Sequence, residues 1–456
     1  MHEKLNITIL PMVIGAFAAA LDNNVLNICL PLLVKEFQID MGMAQFVSSS
    51  YVFAICSLLL FFAYISSAVG RKYIFSIGVT VFSFSSLAAA FSSNIYVLII
   101  LRIAQGIGAA MFMANGMALI NSHFADNVKG RAFGIIFTAT SVASIVGPII
   151  GGTVATLWGW RTNFLLIAPL GIIAALLATK FLQKENKHAI SSFDIKGTVF
   201  SIVFVLLFFA GFLFLKSRGG LISILLLAAS LVCLWFFIRA EKIAPNPVMQ
   251  TSVFSQKVFV IANLQAGLVF AIMMAVGIII PVYIQESLGY TATYSGFVLS
   301  FMAISTFAVS YYGGFMADKA GTHRIISLGI VLVLIGMVGL GCAVYFGLKW
   351  LLFLSNIFVG GGIGFFNPAN NKLVMMSVPR EYAATAASIN VLLRNAGIAV
   401  GTTISGMSYG LFLTVTLKPP VAALLSISIF IAVSILILVS NLSKKNDDFK
   451  STNYGN

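Results

Sequence analysis

Apolar runs of twenty to thirty residues alternate along the chain with short breaks rich in charge, glycine or proline. The runs fall at roughly 7 to 31, 44 to 66, 73 to 92, 95 to 120, 132 to 157, 162 to 181, 195 to 215, 219 to 238, 258 to 284, 293 to 316, 325 to 347, 350 to 370, 383 to 412 and 420 to 440. About 20 apolar residues in a helix suffice to cross the hydrocarbon core of a bilayer, where a backbone must satisfy its own hydrogen bonds. The pattern therefore predicts fourteen transmembrane helices. The first run carries Asp22, Asn23 and Asn24 and is too long and too polar for a cleaved signal peptide, so it is expected to stay in the protein.

The order of the breaks predicts an organisation. Six spans precede the charged connection Gln183, Lys184, Glu185, Asn186, Lys187 and His188. Two spans follow, and a second polar connection from Arg239 to Lys257, with Pro245 and Pro247, leads into six more. The expectation is an all-α polytopic membrane protein with a six-helix bundle over 1–182, a linker and inserted transmembrane hairpin over 183–256, a second six-helix bundle over 257–441, and a cytoplasmic tail over 442–456. An internal echo points to two related bundles: Ala63 to Lys72 after the second span, and Gly314 to Arg324 after the tenth, put glycine and basic residues at matching offsets. Short turns at a membrane surface also collect Gly, Lys and Arg for reasons of their own, so both explanations stay open for the echo.

Composition agrees with the membrane setting: 60% of the 456 residues are hydrophobic and 9% charged, whereas a soluble domain is nearer a quarter charged. The net charge of +14 is explained by its distribution. With the N-terminus inside, nineteen of the 27 Lys and Arg residues fall on the cytoplasmic side and six on the outer side. The other two, Arg102 and Arg394, lie within spans. Basicity thus reflects topology and lipid attraction, not nucleic-acid binding, and both termini are expected in the cytoplasm. The four cysteines sit in apolar runs without metal or redox spacing, and the four histidines lie in tails or loops, so neither a metal site nor a cofactor is expected. The absence of GxxxxGK[ST], HExxH and GxSxG patterns argues against ATP drive and against an intramembrane enzyme.

Candidate chemistry centres on Asp22, the acidic residue set most deeply in an apolar run. A carboxylate at membrane depth is costly and either serves ion or proton movement or is locked in a helix-packing salt bridge. Asp22 lies about 13 Å from the outer end of its span and Arg102 about 10 Å from the outer end of the fourth, at 1.5 Å per residue, so the two can meet. A proton on Asp22 would then release Arg102, the outline of a proton-coupled switch. On the fourth span Gln105, Gly106, Ala109 and Met113 share the Arg102 side, and on the thirteenth Ala387, Asn390, Gly397 and Gly401 share that of Arg394. The small residues fit either a water-filled cavity or close helix packing. Asp22, Asn23, Gln105, Asn390 and Arg394 are candidate polar contacts of a substrate, and Met113, Phe270, Met273, Met274 and Phe297 candidates for an adaptable apolar pocket. Gly147 and Gly151 form a GxxxG pattern around Pro148, which predicts a bent, tightly packed fifth span.

These residues also carry a resemblance. Leu21, Asp22, Asn27, Leu30 and Pro31 match LDxTxxNxALP, the run from Leu98 to Ala110 matches LxxxRxxQGxGAA, and Gly147, Pro148, Gly151 and Gly152 match the core of GxxxGPxxGG, with Ala143 in place of its first Gly. Trp160, Arg161, Phe164, Pro169 and Gly171 extend the similarity into the sixth span. Together they resemble the major facilitator superfamily, in particular its fourteen-span drug/proton antiporter branch. The resemblance implies an antiporter motif at Gly147, Pro148, Gly151 and Gly152, and a cytoplasmic gate at Gly70, Arg71, Lys72, Gly314, Asp318, Gly321 and Arg324. In the first copy of the gate motif Ser67 stands where the family has Asp and Ala63 where it has Gly, which leaves the charge contact to Asp318.

The expected function is proton-coupled export of amphipathic small molecules across the cytoplasmic membrane by a monomer, with protons and lipid as its other partners. One specific metabolite or lipid as cargo, or a transport-dead sensor on the same scaffold, are the alternatives. Single-cysteine labelling in intact cells tests the topology: positions 187 and 444 should be reached only from the cytoplasm, positions 216 and 349 only from outside. Positions 187 and 216 on one side would end the division into six, two and six spans.

Overall fold

The computed structural model describes residues 2–123, 126–183, 195–214, 220–243, 251–378 and 383–453. Lys187, Lys216, Pro245 and Pro247, singled out above, lie outside the described residues. Fourteen helices follow one another, with no strand among the described residues: α1 (His2–Phe37), α2 (Met41–Val69), α3 (Arg71–Ala89), α4 (Ile95–His123), α5 (Asp126–Trp158), α6 (Arg161–Phe181), α7 (Ile195–Phe214), α8 (Gly220–Ile243), α9 (Lys257–Val282), α10 (Ala292–Ala320), α11 (Thr322–Phe346), α12 (Lys349–Met376), α13 (Ala383–Thr416) and α14 (Pro419–Asn453). Thirteen of them are long and apolar enough to cross a membrane among the described residues, while α7 contributes the shorter apolar stretch Val199–Phe208. The architecture is thus two six-helix bundles with a helical hairpin inserted between them in the chain.

The chain falls into two compact units. One holds Met1–Leu26, Phe46–Gly147 and Leu157–Thr251; the other holds Asn27–Gln45, Pro148–Thr156 and Ser252–Asn456. Helices α1, α2 and α5 therefore each give a segment to both.

Glycine sets how closely the helices pack, because lipid supplies little hydrophobic drive and association relies on backbone approach. In the first unit a Cβ on Gly78 of α3 would lie 2.8 Å from the Gly108 carbonyl oxygen and 2.9 Å from the Phe112 nitrogen of α4. In the second unit a Cβ on Gly329 of α11 would lie 2.7 Å from the Gly362 carbonyl oxygen and 2.9 Å from the Phe366 nitrogen of α12. The reciprocal contacts match as well, Gly108 against the Phe82 nitrogen and Gly362 against the Val333 nitrogen. The third and fourth spans of the two bundles thus meet by the same glycine-to-glycine crossing.

The echo between the bundles extends to their turns. Gly70 joins α2 to α3 at φ 112, ψ 126, and Gly321 joins α10 to α11 at φ 90, ψ 141. Both lie in backbone regions that a Cβ disfavours, which explains why glycine stands at matching offsets in the two halves. Between α7 and α8, Phe200 stacks on Phe236 at 5.3 Å and Ser223 donates to the Gly211 carbonyl at 2.5 Å.

Gly108→Leu and Gly362→Leu should each destabilise the detergent-purified protein by at least about 1–3 kcal/mol, since a rigid backbone faces the new side chain. Gly116, with no atom within 4 Å of its Cβ position, is the control. Its Leu variant should melt no lower than wild type, because Gly is the poorer helix former. Equal melting shifts at all three positions would refute the crossing as the basis of packing.

Candidate functional site

Helix α4 starts where the Asn94 side chain accepts the Val97 N–H at 3.0 Å, a side-chain cap on an otherwise unpaired backbone donor. Two turns on, Arg102 and Gln105 stand three residues apart and share a face. Arg102 is fully buried and Asp22 of α1 is 1% exposed. The Arg102 Nη1 donates to Asp22 Oδ2 and to Gln105 Oε1, each at 2.6 Å. Gln105 Nε2 in turn donates to Asp22 Oδ1 at 3.1 Å, closing a ring of three side chains. Arg102 Nε donates to the Val47 carbonyl of α2 at 3.1 Å, and its guanidinium carbon lies 4.3 Å from the centroid of the Tyr51 ring. The remaining Nη2 is buried without a hydrogen-bond partner among the described residues.

Removing one member of such a buried pair strands the other charge, a cost of about 3–5 kcal/mol. Both oxygens of Asp22 are occupied and α1, α2 and α4 are tied through one guanidinium. A single proton on Asp22 cancels the attraction that holds this arrangement. Beside Asp22, Asn23 is half-buried, and Met113 is exposed at 39%.

In the second unit α9 and α13 run parallel in a close ladder. Asn390 Nδ2 donates to Asn263 Oδ1 at 3.0 Å, Gly397 sits against the Gly267 backbone, and Gly401 against that of Ala271. Between these rungs the Arg394 guanidinium carbon lies 4.2 Å from the centroid of Phe270. Met274 is buried and Met273 half-buried on the same helix as Phe270. Phe297 of α10 belongs to a different cluster, with Phe301 and with Phe353 of α12, and is 48% exposed.

The fifth-span motif divides its contacts. Gly147 meets Leu21 and Asn24 of α1. The segment that follows Gly147 packs on the start of α10: Gly296 abuts the Pro148 carbonyl, Gly152 abuts Ala292, and Thr293 donates to Thr156 at 3.1 Å. Gly151 lies on the same stretch of α5. Among the gate residues, Lys72 donates to the carbonyls of Thr179 and Leu182 at the end of α6, where a cation suits the helix dipole. Asp318 of α10 pairs with Lys372 of α12 at 2.6 Å, both exposed to some degree, while Gly314 lies against Pro368. Arg71 is half-buried and Arg324 exposed. The side chains of Ala63 and Ser67 lie outside the described residues.

Several polar residues of the site escape a reading of the sequence. Asn263 is a buried amide inside the ninth span, detectable by the same argument that singled out Asn390. Glu286 stands two residues beyond the apolar run, but a π-helical turn over Tyr283–Ser287 continues α9 and carries it inward, where Tyr409 of α13 donates to its Oε2 at 2.7 Å. The neighbouring Gln285 donates to the Ile28 carbonyl at 3.0 Å. Nothing in the sequence marks Tyr51, one of many aromatic residues in apolar runs.

Residues 12–402 match the Major Facilitator Superfamily. The chain is 28% identical over 402 residues to the riboflavin transporter RibZ of Clostridioides difficile, covering 87% of this chain and 86% of that protein. It is 25% identical over 426 residues to the multidrug resistance protein Stp of Mycobacterium tuberculosis, covering 92% and 78%. A crystal structure of a POT family transporter in complex with 5-aminolevulinic acid superposes with a TM-score of 0.72 at 16% identity, over 96% of each chain. From the continuous family match and the shared helical architecture, the chain is a multi-pass membrane protein belonging to the Major Facilitator Superfamily of transporters.

Proposed function

We propose that this protein is a proton-coupled antiporter of the fourteen-span drug/proton branch. It exports amphipathic small molecules across the cytoplasmic membrane, works as a monomer and keeps both termini in the cytoplasm. The observation that carries the reading is the buried ring of Asp22, Arg102 and Gln105. A charge pair with four of its five polar atoms tied between α1, α2 and α4 is a poor choice for plain packing, since apolar residues of similar volume do that at least as well. It is a good choice for a switch, because one proton changes its charge balance and three helices feel the result.

In this cycle Asp22 is the proton carrier. With Asp22 ionised, Arg102 and Gln105 hold α1 against α4. Protonation leaves Asp22 a neutral acid, frees Arg102 to follow other acceptors, and loosens that contact. Return of the pair expels the proton. The exported molecule competes for the same polar surface through Asn23, so cargo and proton occupy it in turn. Asp318, Arg324, Arg71 and Lys72 serve the cytoplasmic gate, and the motif Gly147, Pro148, Gly151 and Gly152, through the close contacts of Gly147, Pro148 and Gly152, keeps α5 sealed against its neighbours.

The names of relatives support more than one kind of cargo. Stp is named for multidrug resistance, whereas RibZ is named for riboflavin, which supports a second reading in which one metabolite is the cargo. The proton switch is common to both.

Asp22→Asn keeps the size of the side chain but cannot release a proton, so efflux driven by an imposed pH gradient in proteoliposomes should fall to the protein-free rate while downhill exchange persists. Arg102→Ala should abolish uphill transport and lower the melting temperature, by about 3–5 kcal/mol of stability, because a buried carboxylate is left unpaired. Arg102→Lys should recover part of both, having charge without the planar fork. The deciding measurement is proton release from purified protein on adding substrate. Undiminished release from Asp22→Asn would place the coupling elsewhere.

A further inference from the structure

The two arginines within apolar spans, Arg102 and Arg394, differ in their partners. Arg102 has a carboxylate at 2.6 Å, but Arg394 has none among the described residues. Two carboxylates of the second unit are engaged elsewhere, Glu286 by Tyr409 and Asp318 by Lys372. What Arg394 has is the Phe270 ring, 4.2 Å from its guanidinium carbon. Stacking of this kind fixes the plane of the guanidinium and leaves the N–H donors on its edges available.

The support beneath it is rigid. The Asn390 to Asn263 hydrogen bond lies one turn before Arg394, and the backbone contact of Gly397 with Gly267 lies less than a turn after it. These contacts hold α13 on α9 in one register, so Arg394 and Phe270 are presented together. Asn390 is buried, yet Arg394 is only half-buried. A guanidinium that were purely structural would be expected to close on a carbonyl or a carboxylate, as Arg102 does on Val47 and Asp22. An uncompensated intramembrane cation marks a ligand pathway by default.

We infer that Arg394, stacked on Phe270, is the recognition point for a planar aromatic anion, so that the molecules this transporter moves carry a carboxylate or comparable oxyanion on a ring system. The guanidinium fork matches a carboxylate with two parallel hydrogen bonds, a geometry an ammonium cannot offer, and Phe270 supplies the apolar wall for the ring. Cationic amphiphiles meet repulsion at the same point. The inference rests on the transport reading above and narrows it to a substrate class.

Two dyes on the xanthene core, anionic fluorescein and cationic rhodamine 6G, separate the possibilities when their binding to purified protein is followed by fluorescence polarisation. No gradient is needed, so the result is independent of whether Asp22 carries the proton. Wild type should bind fluorescein more tightly than rhodamine 6G. Arg394→Gln should weaken fluorescein at least about tenfold, the loss of one charge-assisted hydrogen bond, and leave rhodamine 6G equal or tighter. Arg394→Lys should fall between. Preference for rhodamine 6G in wild type, binding of neither dye, or unchanged fluorescein binding in Arg394→Gln would each overturn the inference. A lipid phosphate is the other source of an oxyanion: displacement of fluorescein by stoichiometric phosphatidylglycerol would assign Arg394 to the headgroup and overturn it too. If Arg394→Gln does not purify as a folded protein, the salt dependence of wild type decides. Fluorescein binding must weaken with sodium chloride, and a salt-independent affinity rejects the charge contact.

Discussion

Inside a bilayer a charge or amide without a partner has no water to fall back on, and the polar pairs of this protein answer to that constraint. Asp22 and Arg102 are placed at matched depth on α1 and α4 and are tied to Gln105 and to the Val47 carbonyl. Asn390 finds Asn263, and Glu286 finds Tyr409. The pairs help fix which helices meet.

Close backbone approach is the second half of the design, because lipid gives little reason for apolar helices to associate. Crossings through Gly78 and Gly108, and through Gly329 and Gly362, place the third and fourth spans of each bundle in the same register. On α9 and α13 the contacts of Gly267 with Gly397 and of Ala271 with Gly401 do this at the site itself. Small residues and polar residues thus alternate along one ladder, the former setting the distance and the latter reading it.

The π-helical turn over Tyr283–Ser287 shows how a local change of pitch alters chemistry. A π turn takes one more residue per hydrogen-bonded ring than an α turn, and the Leu288 N–H reaches back to the Tyr283 carbonyl at 3.2 Å. This carries Gln285 to α1 and Glu286 to α13 from adjacent positions.

Much of the fold was legible along the chain, since an apolar run of sufficient length has one economical conformation in lipid, and the spacing of polar breaks counts the helices. Asp22, Arg102 and Arg394 stood out for the same reason, as costly residues in apolar runs. The matching glycines at 70 and 321 could be seen as an echo, but their shared backbone conformation, which makes them a repeat, belongs to the structure. Partners were beyond the sequence. That Gln105 closes a ring with Asp22, that Tyr51 faces Arg102, that Lys72 ends on α6, and that Asp318 pairs with Lys372 depends on helices brought together from distant parts of the chain. Depth within the membrane is a property of one helix and can be counted off its residues; rotation and crossing angle are properties of a pair, and only tertiary packing decides them.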